Sequence, residues 1–332
     1  MTNTNAKNWD NYWQGRASQQ SGNALIEVGI ERNHELKKFW TKVFSNEVKS
    51  TKVIDFACGA GSVLEHANNL GFSDLSGLDV SEKALEVMSQ KIAGAKTICA
   101  PVNLTGLESE AYDLAVSQFG IEYAGDKDSL FKAFKEIYRT LRFGGKIVII
   151  AHTTDGVIME GCLASLKQIN LIKESGFIER SQQVFTALKE PSEKTNGEAF
   201  YELTQKLNDT AQPIMEWLKS YPELEAEKTK NEFMRFAYHL LESSHRLITH
   251  HTNYSETDAL NWFEGMKEEL EAYKGRMLSM TKAALSSQDI SDLKEKLAAE
   301  YGPSKLDFEE LKTLHFNSNT KPAAWVIRAS KP

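Results

Sequence analysis

The chain has 332 residues, 41% hydrophobic and 26% charged, and its 39 basic against 46 acidic side chains give a formal charge of −7. That sign excludes a protein that grips nucleic acid mainly by neutralising phosphates, and no apolar run approaches the roughly 18 residues of a membrane-spanning helix. Three scattered cysteines, Cys58, Cys99 and Cys162, write neither a disulfide framework nor a zinc cluster. Residues 1–7 are polar and lack the hydrophobic stretch of a secretory signal, so a cytoplasmic protein is expected. The length allows one enlarged domain or two.

From residue 52 to 151, short apolar runs alternate with amphipathic stretches, the pattern of a βαβ sheet. Residues 52–57 read as a buried strand that runs into Gly59 and Gly61, and a helix with Val63, Leu64, Ala67 and Leu70 follows, closed by Gly71. Residues 75–80 form a second strand, and Ser81 is placed to cap the next helix. Residues 96–100 and 112–117 supply a third and a fourth strand. Residues 131–141 give a helix with Phe131, Phe134, Ile137, Tyr138 and Leu141 on one side. Gly144 and Gly145 then turn the chain into residues 146–151, its most strongly β-branched run.

After His152 the period becomes helical up to about residue 287. Phe200, Leu203, Leu207 and Ala211 form one stripe, and Pro213 is expected near the start of a second helix. Trp262, Met266, Leu270, Tyr273, Met277 and Met280 mark another one-sided helix. The segment 152–287 holds 15 basic and 21 acidic residues, so −6 of the chain's −7 resides there. Residues 290–301 return as a helix, 306–316 as partly extended chain and 323–329 as a strand. The predicted organisation is one α/β domain interrupted by a helical insertion.

The most informative segment is the strand-to-glycine run Asp55, Ala57, Gly59, Gly61. Two glycines between a strand and a helix let a backbone approach a ligand at the helix N-terminus. A dinucleotide fingerprint would place its third glycine at position 64, where Leu64 stands. Asp79 ends the second strand, where a carboxylate can accept both hydroxyls of an adenosine ribose. His239, His245, His250 and His251 invite a metal reading. On a helical wheel, however, Arg235, His239, Arg246 and His250 share an arc that His245 and His251 leave, so no metal site is expected.

Asp55-x-Ala57-x-Gly59-x-Gly61, then residues 77–81, 112–117 and 141–146, resemble the ordered motifs of class I S-adenosylmethionine-dependent methyltransferases. The resemblance covers 51–151 strongly and 288–332 more weakly. It implies a Rossmann-like α/β sheet with an antiparallel last strand, carrying a large helical cap inserted after the fifth strand. Four regions follow: N-terminal helices closing over the cofactor (1–50), the cofactor-binding core (51–151), the cap (152–287) and the completion of the sheet (288–332). S-adenosyl-L-methionine is the implied cofactor. Asp55, Ala57, Gly59 and Gly61 would wrap its methionine part, Asp79 its ribose, and Val80 its adenine. Asn103 and Leu104 stand where the family usually has an acidic residue near the adenine amino group. Ser117 and Gln118 would line the path to the methyl group, and Tyr12 and Trp13 belong to a run like the family's leading helix.

A base is needed only when the acceptor arrives protonated. His152, at the carboxyl end of the fifth strand, is the candidate catalytic residue, with a strand-end structural role as its alternative. Glu122 and Tyr123, and Phe200, Tyr201, Arg235, Tyr238 and His239 of the cap, are candidate acceptor contacts. A methyltransferase for a small-molecule acceptor is the reading, without nucleic acid or membrane partners and compatible with a homo-oligomer. Two others stay open. One is a protein or RNA methyltransferase that docks through the insertion, and the other is a non-catalytic cofactor-binding module.

Overall fold

The computed structural model describes residues 30–190, 197–220, 232–302, 304–316 and 320–332; Tyr12 and Trp13 lie outside them. The chain divides into two compact units, Met1–Gly161 with Ser279–Pro332, and Cys162–Leu278. No helix among the described residues is long and apolar enough to cross a membrane.

The first unit is built on strands β1 (Val53–Phe56), β2 (Leu75–Asp79), β3 (Lys96–Cys99), β4 (Tyr112–Gln118), β5 (Leu141–His152), β6 (Asp307–Phe308), β7 (Lys312–Leu314) and β8 (Ala324–Ser330). The order across the sheet is β3-β2-β1-β4-β5-β8-β6, with β7 also paired to β8. β1 to β5 run parallel, and β8 is antiparallel to β5, from Lys146 opposite Ser330 to His152 opposite Ala324. Both faces are covered, which explains why the strands read as apolar runs rather than as alternating ones. In β5, Val148 and Ile150 enter one core while Ile147, Ile149 and Ala151 enter the other. Helices α1 (Ile30–Phe44), α2 (Ser62–Asn69) and α3 (Glu82–Lys91) fill the first core with Trp40, Phe44, Leu64, Leu85 and Met88. α4 (Lys127–Thr140) fills the second through Leu130, Phe134 and Ile137.

Gly144 and Gly145 do not precede the fifth strand as a turn; they lie inside it. Tyr112 pairs with Leu141 and Leu114 with Lys146, so the extra residues bulge, with Gly144 at φ 77°. The bulge is held by hydrogen bonds to and from Lys331. Two turn-forming residues were therefore absorbed as a strand irregularity.

The helical unit contains most of α5 (Val157–Ser175), together with α6 (Phe177–Lys189), α7 (Gly197–Lys219), α8 (Glu232–Thr249) and most of α9 (Glu256–Ala283). Its own core includes Ile169, Phe177, Phe185, Ile214, Phe233, Leu240, Phe263 and Leu270. Pro213 departs from the expectation of two helices: it lies within the single helix α7. The apolar stripe of Leu207 and Ala211 continues through Ile214 and Leu218. That packing outweighs the backbone bond a mid-helix proline removes. The chain then returns to the first unit as α10 (Ser287–Tyr301), opened by a reciprocal Ser286–Asp289 capping box.

Gly61 shows how tightly the glycine loop is seated. Its φ is 77°, and a Cβ there would stand 2.3 Å from Met88 Cγ. Gly61→Ala is expected to destabilise the first unit by about 2–5 kcal/mol, combining left-handed strain with overpacking. In a Met88→Ala background the overpacking part should vanish, leaving about 1–2 kcal/mol. Urea unfolding of the four proteins measures both, and additive effects would show that Met88 is not the obstacle.

Candidate functional site

The parallel strands bring their carboxyl ends to one edge, where open α/β sheets bind ligands. Asp79 closes β2 there. Its Oδ2 accepts the Gly59 amide at 2.8 Å and its Oδ1 the Ser81 amide at 2.9 Å. Ser81 in turn caps α3 by accepting from Ala84 N at 3.2 Å, as its sequence position predicts. Between β1 and α2 the backbone is left-handed at Ala57, Gly59 and Gly61. α2 has no side-chain cap, so its first-turn amides face the loop without a side-chain acceptor.

Asp55 is buried in β1, and its Oδ1 has no hydrogen-bond partner among the described residues. Burial first, and then the negative charge of Asp79, push its carboxyl well above the usual carboxylate range. Burial, Asp79 and Asp55 likewise hold the Cys58 thiol up, which keeps it protonated and unreactive.

Ser117 does not present its hydroxyl to a ligand path. It is fully buried and donates to Phe56 O at 2.7 Å, tying β4 to β1. Gln118 accepts from Trp40 Nε1 at 2.6 Å, so α1 fixes its side chain. Phe119 follows in the left-handed region at φ 52°. A Cβ on Gly120 would stand 2.7 Å from both Cβ and O of Ala57, so only glycine lets the crests after β1 and β4 meet. Strained backbone at strand ends of this kind marks functional sites. Val80 and Asn103 are partly buried, whereas Leu104 is 74% exposed, which leaves its backbone as the part suited to a ligand.

His152 and Glu122, separated by 30 residues, form a buried pair. Glu122 Oε1 accepts from His152 Nδ1 at 2.7 Å and from the His152 amide at 3.0 Å. The imidazole stacks on Phe119 with ring centres 4.4 Å apart and meets Tyr123 edge-on at 6.1 Å. Nδ1 is occupied, and Nε2 makes no hydrogen bond among the described residues. Glu122 thus orients the ring, a role the sequence reading did not give it. Its Oε2 has no partner among the described residues.

Tyr201, Arg235, Tyr238 and His239 belong to the second, helical unit. Tyr201 is 63% exposed on α7, and Phe200 beside it is half-buried. The other three share α8, with His239 set against Ser243 at 3.3 Å and edge-on to Trp262. α8 ends at Thr249, so the helical wheel does not extend to His250, and His251 starts a separate turn, His251–Asn253. No cluster of three or more His, Cys, Asp or Glu side chains among the described residues is placed to hold a metal.

Residues 54–149 match the family of methyltransferase domains. The malonyl-[acyl-carrier protein] O-methyltransferase of Salmonella typhimurium is 30% identical over 116 residues, which are 35% of this chain and 42% of that enzyme. The ubiquinone/menaquinone biosynthesis C-methyltransferase of Geotalea daltonii is 26% identical over 148 residues, 41% of this chain and 59% of its own. The chain thus spans about half the length of these relatives. The solved S-adenosylmethionine dependent methyltransferase of Mesorhizobium loti aligns over 35% of this chain and 53% of its own, at 24% identity and a TM-score of 0.31.

The residues present fit S-adenosylmethionine. The unpartnered Asp55 oxygen and the Asp79 carboxylate suit a ligand that brings positive charge and hydroxyl donors, and the left-handed loop suits close backbone approach. Because burial raises the Asp55 pKa in the folded protein, its contribution to stability is full below the ordinary carboxylate range and is lost as pH rises through the raised value. Asp55→Asn should remove that loss. The stability of the variant relative to wild type is expected to grow with pH in urea titrations run without cofactor, and a pH-independent difference would show that Asp55 ionises normally.

Proposed function

We propose, taking residues 54–149 as a class I S-adenosylmethionine-dependent methyltransferase domain, that the chain transfers a methyl group from this cofactor to a small-molecule acceptor. The observation that carries the reading is the pair of carboxylates at the ends of β1 and β2, set around a glycine loop whose Gly59 amide Asp79 already holds. The bound cofactor supplies a sulfonium methyl group, and its sulfur keeps the bonding pair when the methyl leaves. Asp55 accepts the amino group of the methionine part, and Asp79 accepts the ribose hydroxyls. Val80, Asn103 and the Leu104 backbone hold the adenine. Gln118 and Phe119 border the path to the acceptor, with Ser117 positioning them from beneath.

In-line transfer asks the protein chiefly for alignment, which can supply about 7–11 kcal/mol. When the acceptor carries a hydroxyl, the Glu122–His152 pair takes its proton as one unit. Glu122 fixes the imidazole through Nδ1, which leaves Nε2 as the basic atom. The formal charge of −7 supports a small molecule over RNA. Three cysteines that form no disulfide among the described residues support a cytoplasmic setting.

Calorimetry should give low-micromolar binding of S-adenosylmethionine, about −8 kcal/mol, and Asp79→Ala should weaken it by about 2 kcal/mol or more. Tight binding of a nicotinamide dinucleotide with none of S-adenosylmethionine would overturn the reading. A screen with labelled cofactor over small-molecule, protein and RNA pools then identifies the acceptor class.

With a hydroxyl acceptor in hand, His152→Gln is expected to lower turnover by about 10²-fold while leaving cofactor affinity near wild type. Turnover unchanged across pH would make His152 a structural residue that anchors Glu122.

A further inference from the structure

A cleft of about 490 Å³ lies in the first unit between the chain after β4 and the end of α9 with the start of α10. Its charged lining is spent largely on itself, Lys127 serving both Asp289, at 2.6 Å, and Asp292, at 3.4 Å. A more selective group stands at the end of β4. It is the carboxamide of Gln118.

The backbone around Gln118 has little freedom. Gln118 pairs with Ile150 of β5, and the next amide, of Phe119, donates to Ile150 O at 2.8 Å. The side chain is then fixed by Trp40, whose Nε1 donates to Gln118 Oε1 at 2.6 Å. Trp40 is buried in the first core, edge-on to Phe39 at 5.2 Å and tilted on Phe44 at 5.9 Å, so its indole N–H has a set direction. An indole N–H can only donate. Exchanging the two ends of the carboxamide would set donor against donor at that distance, so chemistry decides which end faces α1. The oxygen is taken and the amino end is left. Gln118 is half-buried, and its Nε2 makes no hydrogen bond and is not enclosed among the described residues.

We infer that Trp40 is a positioning residue that holds Gln118 as a hydrogen-bond donor, and that the molecule bound at the end of β4 presents an oxygen lone pair to Gln118 Nε2. A hydroxyl, carbonyl or carboxylate oxygen meets that condition. An ammonium group does not, because Nε2 offers only hydrogens. The orientation of Gln118 stands on its hydrogen bond; that the bound molecule is the methyl acceptor rests on the methyl-transfer reading. In that role the donor also selects the reacting atom. An oxygen can give one lone pair to Gln118 and attack the methyl group with another. An amine nitrogen has a single pair, and a hydrogen bond from Gln118 would occupy the pair that must attack. The acceptor therefore reacts at oxygen, or at a carbon next to one.

The test titrates the full chain, with and without S-adenosylmethionine, with acetophenone and 1-phenylethylamine, which share a skeleton and differ in carrying a carbonyl or an ammonium group. NMR follows the Gln118 side-chain NH2 signals, assigned by their loss in Gln118→Leu, and ligand signals give the affinities. Acetophenone should shift the Gln118 signals and bind about tenfold or more tightly than 1-phenylethylamine. Gln118→Glu still accepts from Trp40 but presents oxygen in place of Nε2, so it should reverse the order. Trp40→Phe keeps a ring in the core and frees the carboxamide to turn either end outward, so the preference should fall to about threefold or less. Gln118 signals unmoved by acetophenone, an order unchanged in Gln118→Glu, or equal weakening of both probes in Trp40→Phe would each overturn the inference. The Gln118→Glu arm does not depend on the packing of Trp40. Cofactor affinity is read in parallel by calorimetry. Failure of the probes with S-adenosylmethionine bound removes this inference alone, and the expected probe order without any cofactor binding removes the methyltransferase reading alone.

Discussion

The carboxylate of Asp79 accepts the Gly59 amide on one oxygen and the Ser81 amide on the other, tying the loop after β1 to the loop after β2. Hydrogen bonds to a charged group contribute about 1.5–3 kcal/mol each, enough to set two loops against their chain entropy. Further order follows from this tie. Ser81, held by Asp79, caps α3, and α3 carries Met88 beneath the loop. The Met88 sulfur lies 3.8 Å from Cys58 Sγ, and a Cβ on Gly77 would meet it at 2.4 Å. The loop is therefore pinned from above by a carboxylate and from below by a thioether, so its left-handed residues are built before any ligand arrives. That is preorganisation, and it lowers the ordering cost of binding.

The same edge stores an electrostatic cost. Asp55 and Glu122 are both buried carboxyl groups with one oxygen unpartnered, at the ends of different strands. A fold selected for stability alone would place apolar groups at both positions, because an unsatisfied buried polar atom costs about 1–3 kcal/mol. Their surroundings differ. Asp55 sits near a second carboxylate, which makes it receptive to positive charge, whereas Glu122 holds a histidine whose ring is set between Phe119 and Tyr123, which fixes the direction of the pair. One edge of one sheet thus offers two distinct invitations to a ligand, a charge to be neutralised and a hydrogen bond to be completed.

The parallel core was legible because each of its signals is local. The paired glycines, the serine before α3 and the β-branched run of β5 act within a few residues of themselves, and strand order followed from the resemblance those motifs carry. Where expectation failed, a longer-range force had overridden the local one. Pro213 stayed inside α7 because the stripe from Leu207 to Leu218 packs on one core. Gly144 and Gly145 became a bulge because β8 and Lys331 pair past them. The partner of the Ser117 hydroxyl is likewise long-range: it is the carbonyl of Phe56 on a neighbouring strand, and no local pattern encodes that choice.

The Glu122–His152 pair and the cleft beside it lie beyond such local signals for a related reason. Glu122 follows β4 and His152 ends β5, and only the parallel pairing of Gln118 with Ile150 brings these ends level. The other side of the cleft comes from residues past 279, more than a hundred positions further on. It is fixed where the chain rejoins the sheet, through Leu285 N to His152 O, Thr154 N to Leu285 O and Trp325 Nε1 to Leu285 O. Three hydrogen bonds on the two backbone groups of one residue make that return point rigid. A segment inserted after β5 can vary widely in length and helix content without disturbing the glycine loop, since that loop is held by Asp79, by Met88 and by the Cys58 amide on Leu78 O. Every such change is felt at Leu285, the place where the chain must come back. The glycine-loop end of the edge is therefore set by short-range motifs, and the cleft by where the chain rejoins the sheet.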